Sequence, residues 1–152
     1  MLSTPRSHRP SKKLGWLYVI FGFAGVIDTT YPTVSHYSGE ALVCGAVHGC
    51  DLVTTSKYST VGLVPLALLG MLYYSIIFLS AAAYKETGRG AFSSIFVFLP
   101  FFGFFFSLWL VYLQIFVIEA ICVYCMASAL ISTVLAVFSF FVVFRYNSPM
   151  RD

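Results

Sequence analysis

Charge is scarce in this sequence. Only 10% of its 152 residues are Asp, Glu, Lys or Arg, against roughly 25% in a soluble domain. There is too little polar surface to coat a globule in water, which excludes a soluble enzyme. The nine Lys and Arg are too few and too scattered to form a phosphate-binding patch, which excludes a nucleic-acid-binding module. The period-two alternation of a membrane barrel is also missing. No clean small-x-small cleavage site follows the first apolar run, which is long for the core of a signal peptide, so that run is expected to stay as a helix. Cysteine is sparse as well, with four in the whole chain.

What the sequence does have is apolar length. It is 59% hydrophobic, with a mean hydropathy of +0.87. A spanning helix needs about 20 mostly apolar residues. Four runs qualify, at residues 14–32, 61–84, 92–118 and 120–144. Helices are the remaining way to satisfy the backbone in lipid. The expected fold is an all-α integral membrane protein: a four-transmembrane-helix bundle with an extracytoplasmic loop, residues 33–60, between helices one and two. Residues 1–13 and 146–152 are expected to be cytoplasmic tails flanking a membrane domain at 14–145.

The orientation follows from the basic residues. Arg6, Arg9, Lys12 and Lys13 precede the first run, Lys85 and Arg89 separate the second and third, and Arg145 and Arg151 follow the fourth. Eight of nine cations thus share one side of a four-span chain, leaving Lys57 on the other. Positive charge in short loops marks the cytoplasm, so both termini are expected there. The opposite face then holds all four cysteines: Cys44, Cys50, Cys122 and Cys125. Disulfides form and persist on that side. Facing the cytosol, the same four would argue for metal binding or packing.

The cysteines form two pairs. Cys122-Val123-Tyr124-Cys125 puts both sulfurs on one face, across one helical turn, at the mouth of the fourth helix. Orphan amides and the dipole at a helix N-terminus stabilise a thiolate, and a low-pKa thiolate is a good leaving group in disulfide exchange. This spacing suits redox cycling. Cys44 and Cys50, with five residues between them, lie in the loop with Gly45 and Gly49 beside them. Glycine permits unusual backbone angles, and the segment carries His36, Glu40, His48 and Asp51. Such a loop can present Cys44 to a soluble protein while Cys50 meets Cys122. Electrons would pass from an outside dithiol to the loop pair, then to the helical pair, then to a two-electron acceptor in the bilayer, for which a lipid-soluble quinone is the obvious choice. Two structural disulfides are the plain alternative, although a Cys-x-x-Cys bond within one helix braces little. A zinc site is another, but the five-residue gap fits a zinc knuckle poorly. His36 and His48 read as solvated loop residues.

The ordered features resemble the vitamin K epoxide reductase family in its short bacterial form. Asp28-Thr29-Thr30-Tyr31 is similar to the family's Asp-Ser-x-Tyr turn. Cys50-Asp51-Leu52-Val53-Thr54-Thr55-Ser56-Lys57 resembles Cys-x-x-Val-x-x-Ser-basic, and residues 62–70 resemble the Gly-x-Pro-x-x-x-x-Gly start of the second helix, with two residues rather than one between Gly62 and Pro65. Glu119-Ala120-Ile121-Cys122-Val123-Tyr124-Cys125 resembles the redox motif of the fourth. The resemblance covers nearly the whole chain.

It implies a four-helix bundle enclosing a quinone (ubiquinone, menaquinone or vitamin K type) near the extracytoplasmic end. It implies that Cys122 and Cys125 form the active pair, with Cys125 nearest the quinone. It implies that Cys44 and Cys50 carry electrons from a thioredoxin-fold, disulfide-forming partner, with Cys50 making the transient bond to Cys122. Ser56 matches a serine near the family's site. Some bacterial relatives carry a fused thioredoxin-like domain; with the chain ending at Asp152, a separate partner is expected. The five-residue loop spacing favours the bacterial role, in a bacterial cytoplasmic membrane with the cysteines on the periplasmic side. Reduction of vitamin K epoxide itself, and a non-catalytic scaffold with structural disulfides, are the alternatives. Where some relatives have tyrosine four residues after the second active-site cysteine, this chain has Ala129.

The candidate quinone contacts on the third helix are Trp109, Tyr112 and Gln114, the polar or amphipathic side chains nearest Cys122 in depth. Trp and Tyr also favour the membrane interface with no ligand. The phenylalanine-rich stretch at residues 95–106 reads as lipid-facing or packed, with Pro100 kinking it. Asp28, four residues before Pro32, is the one acid near a helix interior. An ionisable group at membrane depth points to function, with interface exposure or a local cap as the plain alternative.

Overall fold

The computed structural model describes residues 12–40, 42 and 49–147. Cys44, Gly45, His48, Arg6, Arg9 and Arg151 lie outside the described residues. The chain forms α1 (Lys12–Ser38), a short α2 (Cys50–Thr55), a hairpin of β1 (Thr60–Val61) and β2 (Val64–Pro65), then α3 (Leu66–Thr87), α4 (Gly90–Tyr112) and α5 (Val123–Asn147). A π-helical turn, Leu113–Ile118, prolongs α4. The spans Lys13–Ser38, Leu66–Thr87, Gly90–Ile118 and Val123–Arg145 are long and apolar enough to cross a membrane. The fold is the expected four-helix membrane bundle. Helix α1 packs on α3, α3 on α4, α4 on α5, and α5 back on α1, closing the ring.

Several helix ends differ from the expected ones. The second span starts at Leu66 rather than Val61, because residues 60–65 form the hairpin. Helix α1 continues through Pro32 to Ser38. Proline removes one backbone donor, so the Asp28 carbonyl loses its helical partner. Neighbouring threonine hydroxyls are satisfied on the helix's own carbonyls: Thr30 Oγ1 donates to that of Val26 at 2.6 Å and Thr33 Oγ1 to that of Thr29 at 2.7 Å. In an apolar medium such bonds keep polar groups satisfied along an interrupted helix. At the other end, α5 starts at Val123 rather than Ala120, because Glu119 adopts a left-handed conformation, φ 53°, and breaks the helix before it.

The bundle's core joins Tyr18 of α1, Tyr74, Ile77, Ala81 and Tyr84 of α3, Phe96 and Val97 of α4, and Leu135 of α5. Its buried polar atoms are paired: Tyr18 Oη lies 2.7 Å from Ser139 Oγ, and Tyr74 Oη donates to the Ser128 carbonyl at 2.7 Å. Close approach of α1 and α3 rests on small residues. A methyl group on Gly22 would sit 3.1 Å from the Phe78 backbone nitrogen, an arrangement typical of helix contacts in lipid. Large apolar side chains such as Phe105, Leu130, Phe141 and Phe144 point outward instead, as they should when the surrounding solvent is hydrocarbon.

Candidate active site

The corner between the π-helical turn and α5 is tied down by one residue. The Gln114 carbonyl accepts the Ala120 N–H at 3.1 Å. Gln114 Oε1 accepts the Cys122 N–H at 2.9 Å. Both acceptors of Gln114, a side chain only 2% exposed, therefore hold the backbone that delivers Cys122. π-Helical turns recur at functional sites, and here the turn rotates Gln114 inward.

Cys122 caps α5. Its carbonyl accepts the Met126 N–H at 3.0 Å, and its sulfur accepts backbone N–H groups of Cys125 and Tyr124. The geometry is that of an N-cap, with sulfur in place of the usual oxygen. The Cys125 thiol also donates to Cys122 Sγ, and this bond does most to bring the Cys122 pKa from 9.0 down to about 7. Burial opposes the shift, the two amides reinforce it, and the negative charge of Asp28 opposes it. Cys122 and Cys125 are both free thiols.

The loop cysteine reaches this corner through α2. Cys50 is 1% exposed, Cys122 is fully buried, and the two share a small cluster with Leu42, Val53 and Ala120. Cys50 is disulfide-bonded. Gly49 makes the docking possible: a methyl group there would lie 2.6 Å from the Ile121 carbonyl oxygen and 3.0 Å from its nitrogen. Backbone lies on backbone, one residue before each cysteine.

Beneath the corner is a cavity of about 560 Å³, within the range of small-molecule sites. Cys125 lines it and Cys122 does not. Its walls come from all four long helices and include Asp28, Tyr73, Tyr74, Gln114 and Ala129, with Val53 and Ser56 at the top. Most of the lining is apolar. Leu72 and Ile76 of α3 and Phe102 of α4 both line the cavity and are exposed on the bundle's outside, so it opens sideways between α3 and α4.

The structure thus gathers Cys50, Cys122, Cys125, Ser56 and Gln114. Ser56 lines the cavity, and its hydroxyl donates to the Val53 carbonyl at 2.8 Å, finishing α2. Trp109 and Tyr112 are not brought to the site. They are 58% and 51% exposed and absent from the cavity wall. Their rings stack at 6.1 Å, and Tyr112 continues the row to Phe116 at 5.1 Å, on the outer face. Sequence reading did not find Tyr73, Tyr74 or Ser128 as wall residues; nothing distinguishes them from other polar residues of an apolar helix. Asp28 did carry a signal, as the one acid near a helix interior.

No curated protein matched the chain. Residues 16–140 match the vitamin K epoxide reductase family; with the four spanning helices and the thiol corner in place, the chain belongs to that family and is a multi-pass membrane oxidoreductase.

Proposed function

We propose that this protein is a membrane thiol–quinone oxidoreductase that reoxidises a separate thioredoxin-fold, disulfide-forming partner. The observation that carries the reading is the order of the sulfurs: Cys50 packs with Cys122 on one side of the corner, and Cys125 opens onto the cavity on the other. A quinone fits this chamber, which is apolar, edged by a few polar side chains, and open toward lipid. When bound, a quinone would supply an acceptor for two electrons and two protons.

The chain's own residues do the rest. The partner's dithiol reduces the Cys44–Cys50 pair. The Cys50 thiolate attacks Cys122 of the oxidised helical pair, forming a Cys50–Cys122 disulfide and releasing Cys125 as thiolate. Cys44 then attacks Cys50, restoring the loop disulfide and freeing Cys122. Amides and the Cys125 thiol stabilise charge on Cys122. A disulfide-bonded Cys50 with free Cys122 and Cys125 matches the stage at which the electron pair has reached the helical cysteines. Gln114 holds the corner and borders the ring site; Ser56 borders it from above. The charge asymmetry of the sequence supports cytoplasmic termini and periplasmic cysteines in a bacterial inner membrane.

The test is quinone reduction by purified protein with a reduced thioredoxin-fold donor, for wild type and Cys125→Ala. Activity in the wild type that is lost in Cys125→Ala supports the route. Wild-type protein that reduces no quinone but reduces vitamin K epoxide would move the assignment to the epoxide; inactivity toward both would favour a scaffold.

A further inference from the structure

Asp28 is out of place by ordinary membrane energetics. It sits within a spanning helix and, among the described residues, is the only acid that lines the cavity. Its Oδ2 is buried with no hydrogen-bond partner among the described residues. No Lys or Arg among the described residues lines the cavity. A lone carboxylate in apolar surroundings is costly to keep charged, and a site that retains one without a cation needs another use for it. The Cys122 thiol and the Cys125 thiol both lie within electrostatic range of this carboxylate, as does the Tyr74 hydroxyl.

We propose that Asp28 is the proton-exchanging group of the cavity, taking the proton released by the thiol pair and delivering it to the bound acceptor. The inference rests on the thiol–quinone reading above. Joining the Cys122 thiolate and the Cys125 thiol in a disulfide frees one electron pair and one proton. The electron pair goes to the quinone. The proton passes from Cys125 Sγ to the Asp28 carboxylate and on to a quinone oxygen, and one further proton from water completes the hydroquinone. The other cavity groups are less suited. His36 lies eight residues further along α1, about 12 Å at the helical rise. Tyr58 lies in the turn before β1, on the upper wall with Ser56. Tyr73 and Tyr74 of α3 have their hydroxyls beside Ser132 and Ser128. Tyr124 packs its ring against Tyr31 at 5.3 Å. Asp28 alone is an acid with an open acceptor atom.

The experiment uses the full chain in lipid nanodiscs, with Asp28→Asn and Asp28→Glu. One arm needs no quinone: the reduced protein is alkylated with iodoacetamide across pH 5–9, and modification of Cys122 is read by mass spectrometry. Removing a negative charge near Cys122 favours its thiolate, so Asp28→Asn should alkylate faster, by about threefold at pH 6. The other arm is quinone turnover with a small dithiol donor. Loss of a proton-transfer group costs on the order of 10²–10⁴ in rate, so Asp28→Asn should fall at least that lower amount in kcat, with Asp28→Glu recovering most of it. Damage to the fold would expose the buried Cys122 and raise its alkylation at every pH. Loss of the charge alone instead lowers the alkylation midpoint and leaves the rate at high pH unchanged, and both readouts recover in Asp28→Glu. Turnover of Asp28→Asn within twofold of an active wild type overturns the proposal, and so does an unchanged alkylation profile. Wild type that turns over no quinone overturns instead the oxidoreductase reading on which it rests.

Discussion

The backbone of Gly49 lies flat against the backbone of Ile121, with room for a hydrogen and none for a methyl. Each residue immediately precedes a cysteine, so this contact sets how Cys50 meets Cys122. A Gly49→Ala substitution must push α2 off the corner. Overpacking of this kind costs about 1–3 kcal/mol. Turnover driven by the protein partner should fall on the order of tenfold, while turnover driven by a small dithiol that reduces Cys122–Cys125 directly should stay near wild type. An equal loss with both donors would show that the contact serves stability alone.

Cys122 should titrate near pH 7 rather than 9. The sign is simple: below its pKa it is a thiol that attacks iodoacetamide slowly, and above it a thiolate that displaces the iodide readily. The alkylation rate of reduced protein should therefore climb through pH 7. In Cys125→Ala the largest stabilising hydrogen bond is gone, and the midpoint should move upward. A midpoint higher by about one pH unit leaves about tenfold less thiolate at pH 6.

Gln114→Ala should leave the buried Cys122 N–H without its acceptor. An unsatisfied buried donor costs about 1–3 kcal/mol. We expect a lower thermal midpoint and slower quinone turnover, with Gln114→Glu, which keeps an acceptor oxygen, recovering the stability. A Gln114→Ala protein as stable as wild type would show that the corner is held by other contacts.

Trp109→Ala and Tyr112→Ala provide the contrast. Their rings form an outer stack away from the cavity, so the KM for quinone should change less than about twofold, against a clear rise in Gln114→Ala. Measuring KM for the three variants side by side separates a wall residue from a lipid-facing one.

Much of this molecule could be read from its residues, and most of the misses at the site share a cause. Apolar run length exposes four spanning helices because lipid demands that length of each. Depth along a helix is legible in part: Gln114, one of the three candidates, does meet Cys122. Angle around the helix is not. Successive residues turn by about 100°, so Gln114 lies about 200° from Tyr112 and enters the cavity while Tyr112 faces out. In a water-soluble helix an apolar stripe would reveal which side is inward. Here both sides are apolar, and the π-helical turn shifts the phase further. The same lack of contrast hid Tyr73 and Tyr74. The extension of α1 past Pro32 was hidden for another reason: proline removes one bond, to the Asp28 carbonyl, and does not by itself end a helix that packs along α3 and α5.

The division of the two helical sulfurs has a further consequence. Cys122 meets the loop and Cys125 meets the cavity, so in the proposed relay the aqueous and lipid redox pools touch only through one bond that forms and breaks across a single helical turn. A dissolved thiol reaches no quinone directly, and a quinone reaches no dissolved thiol. The corner works as an insulated junction, in which the rate of exchange between the compartments is set by a protein bond rather than by chance collision at the membrane surface.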